Sequence, residues 1–158
     1  MPNREVTNVV VAGLGGQGVL KCSDILAGAV FRAGHDVKKS EIHGMSQRGG
    51  SVSSDVRFGA KVFSPMVPPG QADFLVVLAS TQIEVARPML KADGVLIEPG
   101  LVDESRLANR KSLNVALLGA LARHLGLADN LWHAAIAATL PEKLHAANLQ
   151  AFAIGKTP

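Results

Sequence analysis

Val9-Val10-Val11-Ala12 is a short apolar run, β-branched at three of four positions, that leads directly into Gly13-Leu14-Gly15-Gly16-Gln17-Gly18. A run this short, without polar alternation and closed by glycine, reads as a buried strand of a parallel sheet. Beyond it Val19, Leu20, Ile25, Leu26, Ala29, Val30 and Ala33 recur at helical spacing, and Gly34 stands where a C-terminal cap belongs. Strand, glycine loop and helix open a βαβ unit. Asp36 to Ser40 reads as a second strand. Glu41 to Gly50 has neither period and reads as a long loop. From Ser51 the pattern alternates, with Val52, Val56 and Phe58 on one side and Ser53, Asp55 and Arg57 on the other. A turn at Gly59-Ala60 and an extended run through Val62-Phe63 predict an antiparallel hairpin, which Pro65, Pro68 and Pro69 end.

Phe74 to Ala79 predicts another buried strand, then a helix from Gln82 to Leu90, and Val95-Leu96-Ile97 a further strand closed by Pro99-Gly100. The last third reads as helical. Asn114 is placed as the cap of a helix ending before Gly126, and Asp129 as the cap of one stopping before Pro141. Thr139 and Glu142 have the spacing of a capping box for a third helix running towards Gly155. Residues 1–158 therefore form a single α/β domain: three α/β/α layers, a mixed, mostly parallel sheet and a helical C-terminal third.

Composition narrows the function classes. Of 158 residues, 47% are hydrophobic and 18% charged, a globular balance, and the formal charge is +3. Aromatic residues are 4%, with no Tyr, too few for a base-stacking nucleic-acid surface. The single cysteine, Cys22, cannot build a disulfide framework or an iron–sulfur cluster, and it suits a reducing cytoplasm. Met1 to Glu5 lacks a signal-peptide core, and Val115 to Ala122, the most apolar stretch, is too short for a membrane span.

Gly13, Gly15 and Gly18 satisfy the G-x-G-x-x-G spacing between a strand and a helix, where backbone N–H groups can approach an anion. A dinucleotide site also wants an acid after the second strand. Glu41 is at about the right distance but follows Lys38-Lys39, and Gln17 replaces the usual small residue. A stand-alone dinucleotide-binding oxidoreductase using Gly13 to Gly18 is thus the alternative reading. The bland one is that these glycines only let strand and helix pack closely.

Glu41-Ile42-His43-Gly44-Met45-Ser46-Gln47-Arg48-Gly49-Gly50 gathers acid, imidazole, amide and guanidinium around three glycines. Loops this long usually carry function, and the Arg48 fork suits carboxylate or phosphate. Glu41, His43, Gln47, Arg48, Gly49 and Gly50, with Gly13, Gly15, Gly16, Gln17 and Gly18, are the candidate residues of a cofactor-binding or active-site cleft. Individual catalytic roles are not assigned.

Together, Gly13 to Leu20 and Ser40 to Val52 resemble the gamma-type subunit or domain of 2-oxoacid:ferredoxin oxidoreductases, with indolepyruvate ferredoxin oxidoreductase beta subunits as the nearest branch. The likeness continues through Val56 to Gly59, Ser64-Pro65, Gly70 to Asp73 and Asn148 to Gly155. It implies a subunit of an oxidative decarboxylation complex, inactive alone. Thiamine diphosphate, magnesium and iron–sulfur clusters would sit on a large partner subunit, with coenzyme A as co-substrate and ferredoxin as acceptor. The residues agree, since this chain has neither cluster-forming cysteines nor a Gly-Asp-Gly thiamine signature. The two glycine-rich loops are expected on one sheet edge, facing the partner. The chain stops soon after Gly155, where stand-alone relatives often continue, so any interface made by such a tail is in doubt. Self-association into a homodimer is a further expectation.

The remaining chemistry-bearing residues read as structural. Cys22 fits a packing role, His124, His133 and His145 have no partner at metal-ligand spacing, and Trp132, Ile136 and Leu140 share a helix face.

Overall fold

The computed structural model describes residues 5–43 and 50–158, with His43 by its backbone only. Within the described residues five strands, β1 (Thr7–Leu14), β2 (Asp36–His43), β3 (Ser51–Gly59), β4 (Ala72–Val77) and β5 (Leu90–Ile97), form one sheet in the order β2-β3-β1-β4-β5. β1 is parallel to β4 and β4 to β5, whereas β3 is antiparallel to both β1 and β2. Four of the five strands therefore run the same way, so the carboxyl ends of β1, β2, β4 and β5 share one edge.

The two faces of the sheet are unequally covered. Val9, Val11, Val56, Phe58 and Val76 point into the larger core, against α1 (Val19–Arg32), α3 (Leu113–Leu125), α4 (Asp129–Thr139) and α5 (His145–Lys156). Val10, Ala12, Leu75 and Val77 point the other way, where the cover is thin. It consists of α2 (Ile83–Ala86), its flanking 3-10 turns and the irregular segment 60–71. The alternation along β1 thus serves two cores. The three-layer architecture is present with one thick and one thin helical layer.

α1 ends as its sequence demands. Gly34 takes φ +96°, its N–H donates to Phe31 O at 2.9 Å, and the His35 N–H donates to Val30 O at 3.2 Å, a Schellman closure.

Several local expectations change. β2 continues through His43, pairing with Val52, so the connection to β3 is shorter than the expected loop and β2 and β3 are the hairpin. Charged positions hide that strand: Lys39 is occupied by ion pairs to Asp24 of α1 and to Glu41. Residues 60–71 make no strand, because Asp36, Arg57 and Asp55 take their backbone groups instead. The expected Gln82–Leu90 helix shrinks to α2 between two 3-10 turns, with Pro88 in the second. None of the expected N-terminal caps forms: Asn114 and Asp129 lie inside their helices, and the turn before α5 has no side-chain cap.

Candidate functional site

Gln17 shapes the β1–α1 loop from inside. Its Oε1 accepts the Leu14 N–H at 2.7 Å and its Nε2 donates to Leu78 O, just beyond β4, at 3.5 Å. A Cβ on Gly13 would lie 2.8 Å from that Oε1, so Gly13 is the space the carboxamide occupies. This amide therefore faces protein rather than a ligand. Gly18 enters α1 with φ +82°, a conformation open to glycine at little cost. Its carbonyl accepts from Cys22 N at 2.9 Å and from Asn114 Nδ2 at 3.1 Å. The first turn of α3 is thereby tied to the first turn of α1.

The second glycine segment meets the first directly, since Gly15 N–H donates to Gly50 O at 2.9 Å. Gly13, Gly15, Gly16, Gln17, Gly18 and Gly50 are thus brought together at the carboxyl end of β1. Glu41 is not. β3 lies between β1 and β2, which places Glu41 about 10 Å to the side by two strand spacings, and its carboxylate pairs with Lys39. His43 ends β2 on the same edge. Gln47, Arg48 and Gly49 lie outside the described residues.

A cleft of about 490 Å³ opens beside this loop, a volume in the usual ligand-site range. It lies at the carboxyl ends of β1 and β4, where chain connections diverge to opposite sides, the position at which open α/β sheets take ligands. Gly16 to Gly18 and Leu78 form one side, and Asn109 to Asn114, Leu140, Leu144 and Asn148 form the other. Among the described residues three cations line it, Lys21, Arg110 and Lys111, and no acidic residue does. Among the described residues none of these cations is in an ion pair. Lys21 lies in the first turn of α1, and Arg110 and Lys111 immediately precede α3. Cations at helix N-termini oppose the macrodipole, and a bound anion relieves both. The arrangement suits a phosphate or carboxylate.

Sequence reasoning missed Lys21, Arg110, Lys111 and Asn148 as site residues. The one available signal was the basic pair Arg110-Lys111 at the unfavourable end of a helix.

Cys22 lies below the cleft, fully buried, with Sγ 3.7 Å from Asn114 O. Burial pushes its thiol up to about 12, so the neighbouring helix N-terminus does not activate it. Among the described residues no cluster of three His, Cys, Asp or Glu side chains has the arrangement to hold a metal ion, and no helix is long and apolar enough to cross a membrane.

Residues 8–106 match the family described as pyruvate ferredoxin/flavodoxin oxidoreductase. The chain is 33% identical over 190 residues to the indolepyruvate oxidoreductase subunit IorB of Thermococcus kodakarensis, covering 94% of this chain and 93% of that one. The subunit of the same name from Archaeoglobus fulgidus is 52% identical over 71 residues, 45% of this chain and 35% of that one. Among solved structures, the keto/oxoacid ferredoxin oxidoreductase gamma subunit from Geobacter sulfurreducens superposes with a TM-score of 0.79 at 22% identity, covering 94% and 95% of the two chains. The 2-oxoglutarate:ferredoxin oxidoreductase from Magnetococcus marinus, solved with 2-oxoglutarate, coenzyme A and succinyl-CoA bound, gives 0.78 at 20% identity over 97% of this chain and 31% of that one.

Proposed function

The chain belongs to the pyruvate ferredoxin/flavodoxin oxidoreductase family, and from that premise we propose that it is the small subunit of an indolepyruvate-type 2-oxoacid:ferredoxin oxidoreductase, completing the active-site cleft of a larger partner. The observation that carries this reading is the composition of the cleft, which among the described residues has three cations outside any ion pair, the Gly16–Gly18 backbone at a helix start, and no redox or metal-binding donor. The aryl-substrate branch is supported by the IorB relatives.

The described residues do not fit thiamine diphosphate with magnesium, which needs hard oxygen ligands, because none of those lining the cleft is a carboxylate. An iron–sulfur cluster needs several thiolates, and the one thiol is buried and protonated. Those groups belong to the partner in this reading. A phosphate-bearing co-substrate such as coenzyme A does fit. Lys21, Arg110 and Lys111 would meet its phosphates beside the Gly16–Gly18 backbone, while Gln17 and Asn114 hold that backbone in place. The co-substrate supplies the thiol that takes the acyl group; this chain binds and orients it and helps exclude water.

The dinucleotide reading is disfavoured on two counts. Glu41 is displaced by β3 and paired, and the Gln17 side chain fills the interior of the loop.

Anaerobic co-expression with the large subunit tests the proposal, by measuring oxo-acid-dependent reduction of an electron acceptor with and without this chain. Arg110→Ala with Lys111→Ala should raise the KM for coenzyme A about tenfold or more, as expected for losing two phosphate contacts, and leave the KM for the 2-oxo acid near its starting value. Full turnover by the large subunit alone, or tight binding of a nicotinamide or flavin nucleotide by this chain alone, would overturn it.

A further inference from the structure

Segment 60–71 leaves β3 without regular structure, yet it is fixed along its length. Asp36 Oδ2 accepts the Val62 N–H at 2.8 Å, Arg57 Nη1 donates to Ser64 O at 2.8 Å, and Asp55 Oδ2 accepts the Val67 N–H at 2.9 Å. Arg57 is itself oriented by Asn8 Oδ1 at 2.8 Å. Val62 and Val67 are buried as apolar anchors, and Pro65, Pro68 and Pro69 remove backbone freedom. Between those anchors two large apolar side chains stand in solvent, Phe63 at 86% exposure and Met66 at 54%.

The segment lies on the thinly covered face. In β2, Lys39 and Glu41 turn towards α1, so Lys38, Ser40 and Ile42 turn the other way. Exposed Ile42 and Val85 of α2 share that side with Phe63 and Met66, four of the six exposed large apolar residues among the described ones. An aromatic group held out on a rigid strap loses little entropy on docking, which is how binding hot spots are built.

Charge points to the occupant. Lys61 Nζ lies 6.0 Å from the Phe63 ring centroid, and Lys38 and Lys61 both act on Asp36. The Asp36 carboxylate is already engaged by Val62 N–H. Asp36 stays ionised there, so two lysines flank one carboxylate and this edge of the patch carries a net positive charge. A second copy of this chain, meeting it across a two-fold axis, would set the same lysines against each other.

We propose that the 60–71 strap is the docking element of this subunit, with Phe63 and Met66 entering an apolar pocket edged by carboxylates on the large subunit. This rests on the subunit reading above. The test measures affinity between the purified large subunit and this chain as wild type, Phe63→Ser/Met66→Ser, and Phe31→Ser, the last being an exposed apolar change on α1. The strap variant should bind at least about 30-fold more weakly, as a hot-spot loss implies, with an unchanged melting temperature, and Phe31→Ser should bind as wild type. Lys38→Glu/Lys61→Glu should slow association. Undiminished binding by the strap variant overturns the docking proposal and leaves the subunit reading intact. Absence of wild-type binding overturns both. A wild-type homodimer that the strap variant abolishes would assign the surface to a second copy and overturn the choice of partner.

Discussion

Gly155 packs against Ala116 so closely that a Cβ on Gly155 would lie 1.7 Å from the Ala116 carbonyl oxygen. Gly119 reciprocates from α3, where a Cβ would lie 2.2 Å from Phe152 O. The two glycines bring the backbones of α3 and α5 into contact, with Phe152 fully buried beside Trp132. The obstruction is backbone, which no rotamer change relieves. Gly155→Ala should therefore cost about 3 kcal/mol, at the upper end of overpacking, as read by urea denaturation. A loss below about 1 kcal/mol, the lower end of that range, would mean the helices separate freely and the contact is not tight.

Gln17 should matter through the loop backbone rather than through ligand contact. Gln17→Ala leaves the Leu14 N–H without its side-chain acceptor, at a cost of about 1–3 kcal/mol. Hydrogen exchange at the Leu14 amide should accelerate more than exchange elsewhere in β1. Protection equal to wild type would show that the side chain does not hold the loop.

Cys22 should be inert in the folded protein. With its thiol pushed from 9.0 up to about 12 by complete burial, thiolate is scarce at neutral pH and reagent has no access. Alkylation by iodoacetamide should be complete in denaturant and negligible without it. The linkage sign follows from the raised value. The folded state holds this proton more tightly, so the contribution to stability is whole below pH 9 and is lost as pH rises from 9 towards 12.

Asp55 gives the opposite end of the titration range the same sign. It is 1% exposed beneath the strap, and desolvation raises its carboxyl above the usual 3.8 despite the Val67 N–H and the nearby Arg57. A raised folded value means stability is greatest below the unfolded value and declines as pH rises through the folded one. Asp55→Asn keeps an acceptor for Val67 and removes that decline. The difference in stability between variant and wild type should shift in the variant's favour as pH increases from 3 to 7. A pH-independent difference would show that Asp55 titrates as in the unfolded chain.

The sequence alone established what is local. β1 and its glycine loop follow from an apolar run meeting glycines, and the end of α1 at Gly34 from a single positive-φ position. The motif pair at Gly13–Gly18 and Glu41–Gly50 carried the family resemblance, because spacing along the chain survives without knowledge of packing. Periodicity reports which face of an element is buried, but not what covers it. The tertiary structure decided that β3 separates β1 from β2 and removes Glu41 from the glycine loop. It turned Gly155 from a helix end into a helix contact and set Arg110 and Lys111 across a cleft from residues more than ninety positions away. Segment 60–71 is a strap and not a strand, its backbone held by three side chains from β2 and β3. Each of these depends on pairing between distant residues, whose free energy is written in geometry that no local window contains.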